Sequence, residues 1–296
     1  MSASGITEPL GQPIHGPGAL GSSWPRFWHL TYNIALSEFK LKFFGSVLGY
    51  VWQVMRPLLL FGVLYVFFVE VFHVDKATGA AGLYYGAQLL GSIVLFTFFN
   101  EAIAGSVRSV VDRENLVRKI QFPRLAIPIS VVLLAGFNLG LNLIVVMIFA
   151  VISGVRPMLS WIELPLIVAL LAVLTSGVAV LLSALFVRFR DIQPIWEVFA
   201  QILFYCSPVI IPVEKVKEAL AHGQVDHILY RIYLLNPLVT VFQQFRHAMI
   251  NHAALSAKAA LEGWATLLEP IAIVAAIFVL GFWYFNRQAP HIAEDL

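Results

Sequence analysis

Residues 125–152 (LAIPISVVLLAGFNLGLNLIVVMIFAVI) pass without one charged side chain, and so do residues 164–187. About 20 mostly apolar residues in helical form cross the roughly 30 Å of hydrocarbon in a bilayer. No water is available there to satisfy a bare peptide group, so such a segment pairs its backbone internally, as a helix. Runs at about 50–72, 83–106, 193–211 and 269–286 read the same way, the fifth in chain order closing at Pro208 and Pro212. The expectation is an all-α, polytopic integral membrane protein with six transmembrane helices. Composition agrees: 59% of the 296 residues are hydrophobic and 12% are charged, against about 25% charged in soluble domains.

The segments between and before these runs set the organisation. Residues 1–23 hold no Lys or Arg and no apolar core, which argues against a signal peptide. Rich in Gly, Pro and Ser, they read as a disordered cytoplasmic tail. In 24–45, Trp28, Tyr32, Leu36, Phe39 and Phe43 recur at helical spacing with Glu38, Lys40 and Lys42 between them. That pattern predicts an amphipathic helix lying in the headgroup plane. One membrane domain then covers 24–287, followed by a C-terminal tail, 288–296.

Basic residues fix the orientation, because loops that stay inside carry an excess of Lys and Arg. With the N-terminus inside, Arg26, Lys40, Lys42, Arg56, Arg108, Arg113, Arg118, Lys119, Arg124, Arg188, Arg190 and Arg287 all fall on the cytoplasmic side. Only Lys76 and Arg156 sit in the short outer loops. Both termini are expected in the cytoplasm, with the body in an inner membrane.

Several chemistries are excluded. No GxxxxGK[ST] loop occurs, so the chain lacks a phosphate cradle for ATP hydrolysis. No HExxH or Cys/His cluster offers a metal site, and the single Cys206 cannot form an internal disulfide. The net charge of +2 does not point to nucleic acid. Intramembrane carboxylates mark ion coupling; Glu70, Glu101 and Glu197 come near, each placed by the sequence at the end of a span.

The polar stretch 112–124 (DRENLVRKIQFPR) carries Asp112 and Glu114 at its start and Arg118, Lys119 and Arg124 toward its end. This order suits the dipole of a short helix. It fits a helix that docks into a partner's groove or a solvated connector. In 188–212, Arg188, Arg190 and Asp191 form a compact turn, and the helix after them meets Pro208 and kinks or gates there. Residues 228–250 are apolar but broken at Asn236-Pro237, which fits two short helices dipping into the outer leaflet. Aromatics at Tyr65, Phe96, Phe98, Phe99, Phe204 and Tyr205 suit either core packing or a track along which sugar rings slide. Gly136 and Gly140, with Asn138 and Asn142, invite close helix approach and amide bonds between helices.

Four segments in this order resemble one family: LKFFGSVLGYVWQVMRPLL, ENLVRKIQFPRLAIPI, FRDIQPIWEVFAQILFYCSPVIIP and NPLVTVFQQFR. The family is the transmembrane subunit of ATP-binding-cassette exporters for O-antigen, capsule or teichoic-acid chains, and the likeness covers about 24–287. It implies a homodimer with two copies of a separate nucleotide-binding subunit that holds ATP and Mg2+, this chain having no cofactor of its own. It implies an ATPase-coupling element containing Asp112, Arg113, Glu114, Asn115, Arg118, Lys119 and Arg124. It also implies that the helix bearing Trp28, Tyr32, Phe39, Lys40 and Lys42 rests on the ATPase. The broken segment at Asn236 and Pro237 would be a re-entrant pair at the exit. A lipid-linked glycan would pass between the copies along Tyr65, Phe96, Phe98, Phe99, Phe204 and Tyr205. Two rivals stand beside it: a related exporter of a small lipid or drug, and a membrane glycosyl- or acyltransferase using His222 and Asp226.

Overall fold

The computed structural model describes residues 24–43, 47–74, 84–114 and 123–290. The expected tail at 1–23, the last six residues of the chain and positions 115–122 lie outside the described residues. All regular structure among the described residues is helical.

The long apolar runs become long helices. α1 is Trp24–Phe43 and α2 is Val47–Tyr65, continued by a π-helical turn, Val66–Val71. α3 (Tyr85–Asp112) and α4 (Ala126–Ile152) follow, and a short 3-10 turn (Leu159–Glu163) leads into α5 (Leu164–Arg188). After α6 (Ile192–Tyr205) come four shorter or broken elements: α7 (Val213–Ala221), α8 (His227–Leu235), α9 (Pro237–Phe245) with a π turn to Ile250, and α10 (Ala257–Ala260). α11 (Trp264–Gln288) closes the chain.

Five helical stretches are long and apolar enough to cross a bilayer: Val51–Val71, Tyr85–Asp112, Ala126–Ile152, Leu159–Arg188 and Trp264–Gln288. The run expected as a fifth span is shorter. α6 has 14 residues, about 21 Å at 1.5 Å per residue, and then unwinds through turns to Pro212.

α3 is the axis of the fold. Its apolar residues face neighbours on nearly every side, and 72% of its most apolar stretch is buried, against 6% of the most apolar stretch of Val51–Val71. An apolar helix left uncovered is ordinary against lipid, whose tails are as apolar as Leu. The tightest crossing joins α5 and α11 through glycines. A Cβ on Gly281 would stand 2.3 Å from the Gly177 carbonyl oxygen, and one on Gly177 would stand 2.7 Å from the Phe278 Cα. The expected close approach at Gly136 and Gly140 is corrected: both have open space within the protomer.

Two ends can be distinguished. At the base, Phe27 of α1 packs with Val110, Leu125, Ala126, Val187 and Phe285, gathering the ends of α3, α4, α5 and α11. The apex holds α7 to α10. Asp226 caps α8 by accepting from the Ile228 N–H (3.3 Å), Asn236 caps α9 through Leu238 N–H (3.0 Å), and Ser256 caps α10 through Ala259 N–H (3.2 Å).

Candidate functional site

α6 has three faces, which its sequence already encodes at 100° per residue. Trp196 and Ala200 are buried against the protein. Ile195, Val198, Phe199 and Ile202 are exposed on an apolar face. Between these faces run Glu197, Gln201, Phe204 and Tyr205, which look into a cavity of about 670 Å³. Its other walls are Leu60 of α2 and Phe96, Asn100 and Ala104 of α3, four residues apart and so on one helical stripe. Phe96 and Phe204 meet edge to face at 5.0 Å, and Phe204 meets Tyr205 at 5.4 Å. Aromatic faces alternate here with an amide pair, a carboxylate and a phenol. Such a wall offers apolar area together with donors and acceptors for hydroxyl groups.

Of the expected lining aromatics, Phe96, Phe204 and Tyr205 share this cavity. Phe98 and Phe99 do not: both are buried in the core of the protomer, Phe99 against Trp196 at 5.8 Å. Tyr65 packs on Phe61 at 5.3 Å and over Gly86, closing α2 on α3. Asn100 and Gln201 were missed by attention to rings alone. The helical period counted from Phe96 and Phe204 would have found them.

One residue along α3 from Asn100, Glu101 anchors a polar node well inside the helix, not at its end. It accepts from Lys42 of α1 (3.1 Å), Gln53 of α2 (3.4 Å) and Asn138 of α4 (3.3 Å). Lys42 also donates to Gln53 Oε1 at 3.2 Å. Asn142 turns back to the Asn138 carbonyl instead of crossing to a neighbour.

Through Lys42, α1 is tied at its end to α2 and α3. Its stripe buried against the protein is Phe27, Thr31 and Ala35. Trp28, Tyr32 and Lys40 remain exposed, and Tyr32 and Phe39 both set their rings edge-on to Phe137 of α4. Arg113, just past α3, pairs with Glu38 of α1, and burial pushes its guanidinium below the usual value.

Asp112 is exposed and Glu114 partly so at the base. Asn115, Arg118 and Lys119 lie outside the described residues. Arg124 corrects an expectation: it is buried and donates to the Ala289 carbonyl, stapling the start of α4 to the end of α11. Arg188, Arg190 and Asp191 form an exposed turn, with Arg190 over the Phe186 ring at 5.3 Å.

At the apex the two proline breaks come together. The Asn236 amide donates to the Cys206 carbonyl (3.1 Å) and to Ser207 Oγ (3.0 Å), beside buried Pro208. Pro237 opens α9 at its first position, where a missing N–H costs nothing. The sequence did not foretell the buried Arg246, which donates to Gln88 Oε1 of α3 (2.8 and 3.0 Å) and to Gln243 (3.1 Å). Glu214 of α7 faces it at 3.5 Å. His222 is exposed, and Asp226 is committed to its helix cap.

Residues 30–250 match the ABC-2 type transporter family. The chain belongs to that family of transporter membrane proteins, and with its long apolar helices it is a multi-pass membrane protein. Among its relatives is the O-antigen export system permease protein RfbA of Klebsiella pneumoniae, 26% identical over 74% of this chain and 79% of that one. The protein of the same name from Myxococcus xanthus is 23% identical over 90% of this chain and 95% of its own length.

Proposed function

We propose that this chain is the membrane subunit of an ATP-driven exporter that carries a lipid-linked polysaccharide to the outer face of the bacterial inner membrane. Two copies work with two copies of a separate ATPase subunit, which binds ATP and Mg2+. Both termini face the cytoplasm, and the base, with Asp112 to Lys119, meets the ATPase. The observation that carries the reading is the mixed wall of Phe96, Asn100, Glu197, Gln201, Phe204 and Tyr205. A small apolar drug would be served by rings alone. Amide, carboxylate and phenol groups set among rings suit a polyhydroxylated chain, whose sugar rings have apolar faces and hydroxyl edges.

That wall opens beside α2 and the apolar face of α6, whose exposed side chains a second copy would cover. The exporter names of the relatives support the glycan class. Deleting the gene in its own host and staining for surface and internal glycan tests this reading. Glycan accumulating inside, with none at the surface, is the expected outcome; unchanged surface glycan would overturn it.

A further inference from the structure

A second cavity, of about 490 Å³, lies where α1 gives way to α2 and is lined by Lys42, Gly49, Trp52, Gln53 and Arg56. Gly49, Trp52, Gln53 and Arg56 follow helical spacing, so α2 turns one face toward the end of α1. Two cations line this small space. Glu101 answers Lys42 at 3.1 Å, while Arg56 has no carboxylate partner among the described residues. Arg56 also lies inside the apolar stretch Val51–Val71, about 8 Å along the axis past Val51. A guanidinium at such a place is costly and marks a functional site unless its charge is met. Gln53 is held on both sides, its amide bonded to Glu101 and its carbonyl oxygen to Lys42, so this wall is already ordered. The Trp52 ring, 54% exposed, offers a flat apolar surface beside the cations.

We propose that Arg56, with Lys42, Gln53 and Trp52, forms a binding site for the phosphate or diphosphate group of a membrane lipid. The planar fork of Arg56 grips phosphate oxygens two at a time. The Lys42–Glu101 pair borders the site, and the first carbons of the lipid tail lie on the Trp52 ring. The site deepens the exporter reading, on which the identity of the lipid as the carried one rests. The same chemistry is offered by ordinary anionic phospholipid.

The test uses the full chain in phosphatidylcholine nanodiscs with radiolabelled geranylgeranyl diphosphate. Saturable binding is expected, weakened about tenfold or more by Arg56→Gln and less by Arg56→Lys. Arg156→Gln, at an exposed position, leaves it unchanged. Displacement by inorganic pyrophosphate shows that the diphosphate group suffices; displacement by phosphatidylglycerol in the disc identifies ordinary lipid as the occupant. A second measurement needs no variant: phenylglyoxal modification of Arg56 in the native chain, mapped by mass spectrometry, slows when the lipid is bound. Equal affinity in folded Arg56→Gln, or unprotected Arg56 at saturating lipid, would overturn the site. Binding is read without ATPase or export, so its failure is distinct from any failure of the exporter reading.

Discussion

Neighbouring aromatic residues of α3 share a core but only one of them borders the cavity, and single substitutions separate the two duties. Phe99 is buried in the core, so Phe99→Ala is expected to cost about 3–5 kcal/mol of stability, read by unfolding in mixed detergent. Phe96 is also buried but borders the cavity, and Phe96→Ala is expected to lower export per folded transporter, which Phe99→Ala leaves unchanged. The sequence shows the same residue type at both positions. Which ring faces the cavity depends on where α6 packs, and that is a long-range fact. Arg246 makes the point more sharply. Its partners Gln88 and Glu214 come from distant parts of the chain, so no local pattern announces it. Glu214→Ala leaves the buried guanidinium without its carboxylate and is expected to cost about 3–5 kcal/mol. Arg246→Met combined with Glu214→Leu should cost less than Glu214→Ala alone, by the same detergent titration.

At the scale of elements, hydropathy made the long helices legible because a crossing helix must be apolar along its whole length. The break between α8 and α9 was legible too, since Asn236-Pro237 both stops one helix and starts the next. Two features were not. The face that α1 buries, Phe27, Thr31 and Ala35, was not read, because its aromatics drew attention to a wet boundary instead. The fifth run looked long enough to cross, yet Pro208 and the bonds from Asn236 end α6 early. Glycine spacing misled in the same way: the pair in α4 is open, and the contact is made by Gly177 and Gly281. Gly281→Ala must push backbone from backbone and is expected to cost about 1–3 kcal/mol. Gly136→Ala should leave protomer stability unchanged or raised by about 0.5–1 kcal/mol. Thermal unfolding of the two variants side by side checks both.

Over the whole molecule, three devices run from base to apex along α3. Arg113 ties its lower end to α1, Glu101 joins it to α1, α2 and α4, and Gln88 ties its upper end to the π turn after α9. We propose that a push at the base reaches the cavity wall and the apex along α3. Coupling to the ATPase is proposed at the residues following α3. Reversing charge with Arg118→Glu and Lys119→Glu is expected to cut glycan-stimulated ATPase activity of the assembled complex at least tenfold. Unchanged stimulation would remove this segment from the mechanism. The central claim is that glycan travels along the polar face of α6, and Cys206→Ser gives a background in which one cysteine can be placed at will. A benzophenone attached at Gln201→Cys is predicted to crosslink radiolabelled glycan during ATP turnover in the reconstituted complex, while the same probe at Phe199→Cys captures lipid or protein only. Glycan captured at 199 and not at 201, or at neither position during active export, would contradict the account.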